Sequence, residues 1–136
     1  VLREEYKELT VSLGISDKVD FVGIVNNVSD YYNKAKIFVF TSQSEGFPNA
    51  LLEAMAFGLP CISTDCPSGP SEIIKNNENG YLVEVNNRRQ LERRLINLMD
   101  NPELCMEFSA KALTSTVKFN IKEVYKQWDT LILKII

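Results

Sequence analysis

Apolar positions along this chain recur with two different periods, and the switches between them predict its elements. Leu2, Tyr6, Leu9 and Leu13 fall roughly on one face of an amphipathic helix, which Gly14 closes. Residues 19–22, starting at Val19, read as a short strand with Gly23 at its end. Residues 28–35 read as a second helix, with Asn27 or Ser29 available as its cap. The apolar run 37–40 predicts a strand buried on both faces. A helix that is apolar almost all round follows over 48–57. Pro48 suits its start, because the missing N–H would be unpaired there anyway, and Gly58 and Pro60 end it. Residues 60–63 form the next strand and 64–69 a loop. Pro70 then opens a short helix with Glu72 in its first turn, where the dipole favours a carboxylate. Gly80 turns the chain into an edge strand over 81–83. From there the pattern is helical only: 87–99 with Leu91, Leu95 and Leu98, then 101–113, then Ile121 to the end. Core packing is expected for the last stripe, Val124, Trp128 and Leu131. There is no internal repeat and no low-complexity linker.

Strands that alternate with helices imply an α/β fold, a Rossmann-like parallel sheet flanked by helices, here with a helical C-terminal end. Four strands are expected, near Val19, Ile37, Cys61 and Tyr81. Ligands of such sheets bind outside the carboxyl ends of the strands, which places Gly23, residues 41–49 and residues 64–69 at the expected site.

Composition narrows the chemistry. A chain of 136 residues fits a single domain, residues 1–136, with a proper core. A net charge of −3 argues against a nucleic-acid partner, which calls for a basic face. The run Arg88, Arg89, Arg93 and Arg94 is interrupted by Glu92 and reads as a solvated helix face. No run is long enough to span a bilayer, and no signal peptide is visible. Three cysteines without metal-ligand spacing suggest a reduced, cytoplasmic setting. The absence of histidine excludes a histidine base and argues against zinc, and no carboxylate cluster suggests Mg²⁺, so no metal and no cofactor are expected. Tyr31 and Tyr32 are read as core and rim packing rather than ligand stacking.

Two acids interrupt the apolar stretch, Glu45 before the helix and Glu53 inside it. Glu53 lies among Leu51, Leu52, Ala54, Met55 and Ala56 with no Lys or Arg nearby in sequence. An unpaired carboxylate in such surroundings would cost roughly several kcal/mol, so a solvated cleft or a hydroxyl-rich ligand is expected beside it. Asn49 and Glu53 share a helix face, and the free amides at the helix start suit a phosphate. Phosphate at the tip with a diol one turn on describes a nucleoside diphosphate and its ribose. The same spacing also fits a plain strand–loop–helix unit with one capping acid and one half-exposed acid.

The stretch from Glu45 through Gly46, Phe47, Pro48, Asn49, Ala50, Leu51 and Leu52 to Glu53, then Ala54 to Pro60, resembles the E-x7-E signature of retaining glycosyltransferases of family four. Val22-Gly23, Thr64-Asp65, Gly69 to Ile74 and Asn79 to Val83 continue the likeness in the family's order. The resemblance implies the carboxy-terminal, donor-binding domain of a two-domain GT-B enzyme. Such an enzyme moves a hexose from a nucleoside-diphosphate sugar, UDP-sugar by family frequency, to a glycan or lipid-linked acceptor with retention. It also implies Glu53 on the ribose hydroxyls and Glu45, the catalytic candidate, facing the donor sugar in a positioning role. The amides of Phe47 to Leu51 would hold sugar and pyrophosphate, stabilising charge that builds on the leaving phosphate. Val22, Gly23 and Ile24 would pass their backbone against the base.

The same family places a basic pair and a glycine-rich acceptor loop upstream of this segment, and from Ile37 to Ile74 there is no Lys or Arg. The chain is therefore expected to begin inside a domain, to lack the amino-terminal acceptor-binding domain, and to be inactive alone. Peripheral association of the full-length enzyme with the cytosolic membrane face is compatible with this. The rival readings are a non-catalytic Rossmann-like nucleotide-binding or interaction module and, more weakly, a dinucleotide oxidoreductase, for which no G-x-G-x-x-G is present.

Overall fold

The computed structural model describes residues 2–135. The chain divides into two units, Val1–Asp30 and Tyr31–Ile136. In the first, α1 (Leu2–Ser12) ends in a glycine stop. Gly14 has φ +66°, and the Gly14 and Ile15 amides donate back to Val11 and Thr10 carbonyls, both at 3.0 Å. A 3₁₀ turn, Ser16–Lys18, follows. Residues 19–22 then depart from expectation. Val19 has extended backbone (φ −126°, ψ 116°), and Val19 and Phe21 are half-buried while Asp20 and Val22 are exposed. Yet no ladder pairs this segment among the described residues. Period-two burial is thus present without a strand, because a strand is defined by a neighbour that takes its amides.

The second unit carries the sheet: β1 (Phe38–Phe40), β2 (Cys61–Thr64) and β3 (Tyr81–Val83), parallel, in the order β1-β2-β3. Phe38 lies opposite Cys61, and Ile62 opposite Tyr81. Three strands rather than four are therefore paired. β3 is an edge, as expected. The strand buried on both faces is β2, every residue of which is buried, and not β1, where Val39 is 37% exposed.

Alternation along β2 and β3 divides the core. Cys61 and Leu82 join Leu51, Ala54, Met55 and Ile73 on one face, under α3 (Asn49–Ala56) and α4 (Pro70–Ile73). Ile62, Tyr81 and Val83 join Leu98 and Phe108 on the other, under α5 (Arg88–Asp100) and α6 (Pro102–Thr116). Between the layers Tyr81 meets Phe108 edge-on at 5.0 Å and stacks beneath the Arg94 guanidinium at 4.4 Å. Arg94 thus leaves the solvated arginine face, whereas Arg88, Arg89 and Arg93 stay on it. Tyr32, on α2 (Ser29–Lys34), is core, and Tyr31 is exposed.

Helix ends follow their local chemistry. Gly58 (φ +75°) closes α3: its amide bonds Met55 O at 2.9 Å, and the Leu59 amide bonds Ala54 O at 3.0 Å. Asn87 caps α5 by accepting from the Gln90 amide at 3.0 Å. The last helix, α7 (Ile121–Ile135), corrects one expectation. It has no buried residue, and Trp128 is 60% exposed rather than core. Its amphipathic stripe is real, but only Val124 of it is half-buried, while Trp128 and Leu131 stay exposed. The predicted end of this helix, Ile136, lies outside the described residues.

Candidate functional site

Three loops leave the carboxyl end of the sheet: 41–48 from β1 to α3, 65–69 from β2 to α4, and 84–87 from β3 to α5. They are tied together there. The Thr64 hydroxyl donates to Ser42 O at 2.5 Å, the Asp65 amide to Val83 O at 2.7 Å, and the Gln43 amide group contacts Asn86 at 3.4 Å. Gly69 lies against Pro48, and both Pro48 and Pro70 are almost fully buried. Loop 41–48 is thereby held against its neighbour, and it presents Gly46 and Phe47 to solvent with Glu45 half-buried.

Pro48 stands at the N-cap position of α3 and not inside the helix, and no side chain caps this end. The sequence pointed to amides from Phe47 to Leu51 as donors. Pro48 has none, and that of Asn49 turns back to Phe47 O at 3.0 Å. In the first turn the amide of exposed Ala50 is left for an external acceptor, since it has no helical carbonyl one turn behind it, whereas Leu51 is fully buried. The Asn49 side chain is exposed at the same tip.

Glu53 sits one turn further along and is exposed. Of the two surroundings expected for this carboxylate, a solvated cleft or a hydroxyl-rich ligand, solvent is the one the structure shows. Leu51, Ala54 and Met55 turn into the core, while Glu53 points away from it. It therefore needs no ligand to be tolerated. Among the described residues no Lys or Arg pairs with it. Its one side-chain hydrogen bond among the described residues is from the Tyr32 hydroxyl, at 3.4 Å from the carboxylate and 3.4 Å from Ala50 O, a weak shared contact. Burial first, and then the Glu53 charge, pushes the Tyr32 hydroxyl above its ordinary pKa. Glu53 also borders a recess of about 360 Å³ with Leu52, Ala56 and residues of the 116–120 turn.

Gly46, Phe47, Pro48, Asn49, Ala50, Leu51 and Glu53 thus form one continuous loop–helix unit with Glu45. Val22, Gly23 and Ile24 belong to the other unit, in an unpaired loop where Gly23 has φ +74° and the Arg3 guanidinium would lie 3.2 Å from a Cβ placed on it.

Two cations were not anticipated at this end of the sheet. Arg88, the first residue of α5, borders a polar recess of about 300 Å³ with Thr41, Thr64, Glu84 and Asn86. Lys118 comes from the far side of α6: its ammonium donates to Glu72 O at 3.1 Å and lies 4.8 Å from the Phe119 ring, which meets Phe47 edge-on at 5.7 Å. The place of Arg88 directly after a strand end was a readable signal; nothing local marked Lys118. A larger cavity of about 740 Å³ lies at the opposite end of the strands and is lined largely by apolar groups such as Phe57, Leu98, Met99 and Met106. Its polar lining is limited to Tyr32, Asn33, Lys36 and Ser109, and it lies away from the strand ends where ligands of parallel sheets bind. No group of three His, Cys, Asp or Glu is placed to hold a metal among the described residues.

Residues 2–115 match the family model described as glycosyl transferases group 1. The chain is 36% identical over 129 residues to an uncharacterized glycosyltransferase of Haemophilus influenzae, covering 95% of this chain and 36% of that protein. It is 33% identical over 134 residues to a Campylobacter jejuni enzyme named as a GalNAc-alpha-(1->4)-GalNAc-alpha-(1->3)-diNAcBac-PP-undecaprenol alpha-1,4-N-acetyl-D-galactosaminyltransferase, covering 98% of this chain and 37% of the enzyme. Among solved structures, a mutant of S. aureus TarM, in complex with fondaparinux, alpha-GlcNAc-glycerol and UDP, superposes with a TM-score of 0.88. It is 26% identical, covering 96% of this chain and 27% of TarM. The chain thus spans about a third of the length of the curated relatives it matches, 36% and 37% in these two cases.

Proposed function

This chain belongs to the glycosyl transferases group 1 family, of GT-B type, and from that premise we propose that its α3 tip binds the donor of a retaining, family-four hexosyl transfer. The observation that carries this reading is local. A helix start at the carboxyl end of a parallel sheet carries no side-chain cap, and a solvent-facing carboxylate lies one turn along. The Ala50 amide takes the diphosphate, with the positive end of α3 behind it. Glu53 accepts from the ribose hydroxyls. Glu45 positions the sugar.

The donor amide acts where charge develops. As the glycosidic bond to the β-phosphate breaks, negative charge grows on the leaving oxygen, and preorganised N–H dipoles stabilise it without reorganising. The acceptor then attacks on the face that the phosphate leaves, which retains the anomeric configuration. No metal and no cofactor enter this scheme. UDP is the favoured nucleotide, supported by the UDP in the TarM complex. A lipid-linked or glycan acceptor is supported by the undecaprenol named for the Campylobacter jejuni relative. The acceptor site falls to sequence beyond these residues, so the 136-residue chain alone binds donor weakly and does not transfer. A cytoplasmic place, at the membrane face when the acceptor is lipid-linked, completes the reading.

Titration of the chain with UDP, GDP and ADP, repeated with Glu53→Ala, tests the site. UDP binding that weakens in the variant is expected. Equal, featureless titrations for both proteins would remove the assignment.

A further inference from the structure

We propose that Gly69 is a positioning residue for the α3 tip: its missing side chain lets loop 65–69 hold Pro48, and through Pro48 the first turn of α3 with the Ala50 amide, in place. The contact is specific. A Cβ built on Gly69 would overlap the Pro48 Cδ, lie 3.2 Å from Cγ and come within 3.6 Å of the Pro48 backbone nitrogen. The pyrrolidine ring cannot swing aside as a flexible side chain would, because the ring is fused to its own backbone. Pro48 is also almost fully buried, so the ring has nowhere to retreat.

The loop reaches this position through two successive residues with positive φ, Ser68 at 64° and Gly69 at 124°. The second conformation, with ψ −60°, is one that only glycine adopts without strain. From Pro48 the link to the helix tip is direct: Pro48 O accepts from the Leu52 amide at 3.1 Å and so closes the first turn of α3. A displacement of Pro48 therefore moves the residues between, which include Ala50 and its donor amide. Glu72 and Pro70, next along the same loop, are accounted for by α4 itself, with the Glu72 amide on Gly69 O at 3.0 Å. That leaves the contact with Pro48 as the feature of Gly69 that faces the site.

The ligand readout of this inference rests on the donor-site reading above; the amide readout does not. The test uses ¹⁵N-labelled 136-residue chain, following the Ala50 and Leu51 amide resonances and titrating UDP. Gly69→Ala is expected to shift both resonances and to weaken UDP binding by about tenfold or more, as displaced contacts do. Removing the opposing ring in Gly69→Ala/Pro48→Ala is expected to return both readouts toward those of Pro48→Ala alone. Ser68→Gly, which changes the loop without adding a side chain, should leave both unchanged. Wild-type resonances and affinity in Gly69→Ala overturn the inference, as does a double variant no better than Gly69→Ala. If Gly69→Ala does not fold, a folded double variant supports the contact, and if neither folds Pro48→Ala alone decides, with a wild-type Leu52 amide resonance and UDP affinity there overturning the inference. If the wild-type chain binds no nucleotide, the donor reading fails, and the amide shifts alone decide the positioning role.

Discussion

Replacing Glu53 by Ala separates a ligand-binding acid from a structural one, because the structure assigns Glu53 almost nothing to do for the fold. Among the described residues it is exposed, unpaired with any Lys or Arg, and hydrogen-bonded only by the Tyr32 hydroxyl at 3.4 Å. An exposed, non-capping position costs within about 0.5 kcal/mol on substitution, and Ala is the better helix former. Stability should therefore hardly change. Two ribose hydroxyls donating to a charged acceptor are each worth about 1.5–3 kcal/mol when enclosed. At an exposed carboxylate the pair should contribute about 2 kcal/mol, or roughly a 30-fold loss of UDP affinity in Glu53→Ala. Glu53→Gln keeps an acceptor without the charge and should lose about 1 kcal/mol, roughly fivefold. Isothermal titration gives the affinities, and a thermal melt of each variant confirms the fold. A UDP analogue lacking both ribose hydroxyls closes the cycle: it should bind wild type and Glu53→Ala alike. If the variant weakens both ligands equally, Glu53 is not the ribose acceptor and the reasoning fails.

Three further outcomes concern the scaffold of the site. Burial pushes the Cys61 thiol far above its ordinary pKa near 9, so the folded form keeps its proton while the unfolded chain ionises. Stability should be flat below about pH 8.5 and fall above it by about 1.4 kcal/mol per pH unit for this thiol. Urea titrations at rising pH check this, and Cys61→Ala with an unchanged slope would contradict it. Asn79 is buried, accepts from the Lys75 amide at 2.8 Å, and donates to Ile73 O at 3.2 Å and Ser115 Oγ at 3.0 Å. Asn79→Ala strands these partners and should cost about 3 kcal/mol, or about 10 °C in Tm by calorimetry. Gly80 leaves room for the Cys61 carbonyl, which would lie 2.9 Å from a Cβ there. Gly80→Ala should destabilise by about 1–3 kcal/mol in the same assay, and an unchanged melt would show that β3 can shift.

Much of the helix architecture was legible because it depends on a few adjacent residues. Gly14 and Gly58 stop their helices through positive φ, Pro70 starts α4, and Asn87 caps α5, each within one turn of chain. The continuity of β1, loop 41–48 and α3 likewise places Glu45, Asn49 and Glu53 at one strand end. The amide count at the tip was less legible: that Asn49 folds back on Phe47 depends on backbone angles around Pro48, which residue types leave open.

What the sequence by itself determined is therefore the helices, three of the four expected strands, their order, and the loop–helix that bears the two acids, because helix stops, caps and apolar periods act over a few residues. Tertiary structure decided which residues that set exposes and which it brings together. Glu53 has apolar neighbours in sequence, yet α3 turns them inward and leaves it in water. Residues 19–22 have a strand's alternation without a partner to pair with, and Trp128 stays exposed on its amphipathic face. Lys118 reaches Glu72, 46 positions away in sequence, only because α6 returns the chain across the sheet. Such pairings depend on closing long loops against chain entropy, and no short stretch of residues encodes them.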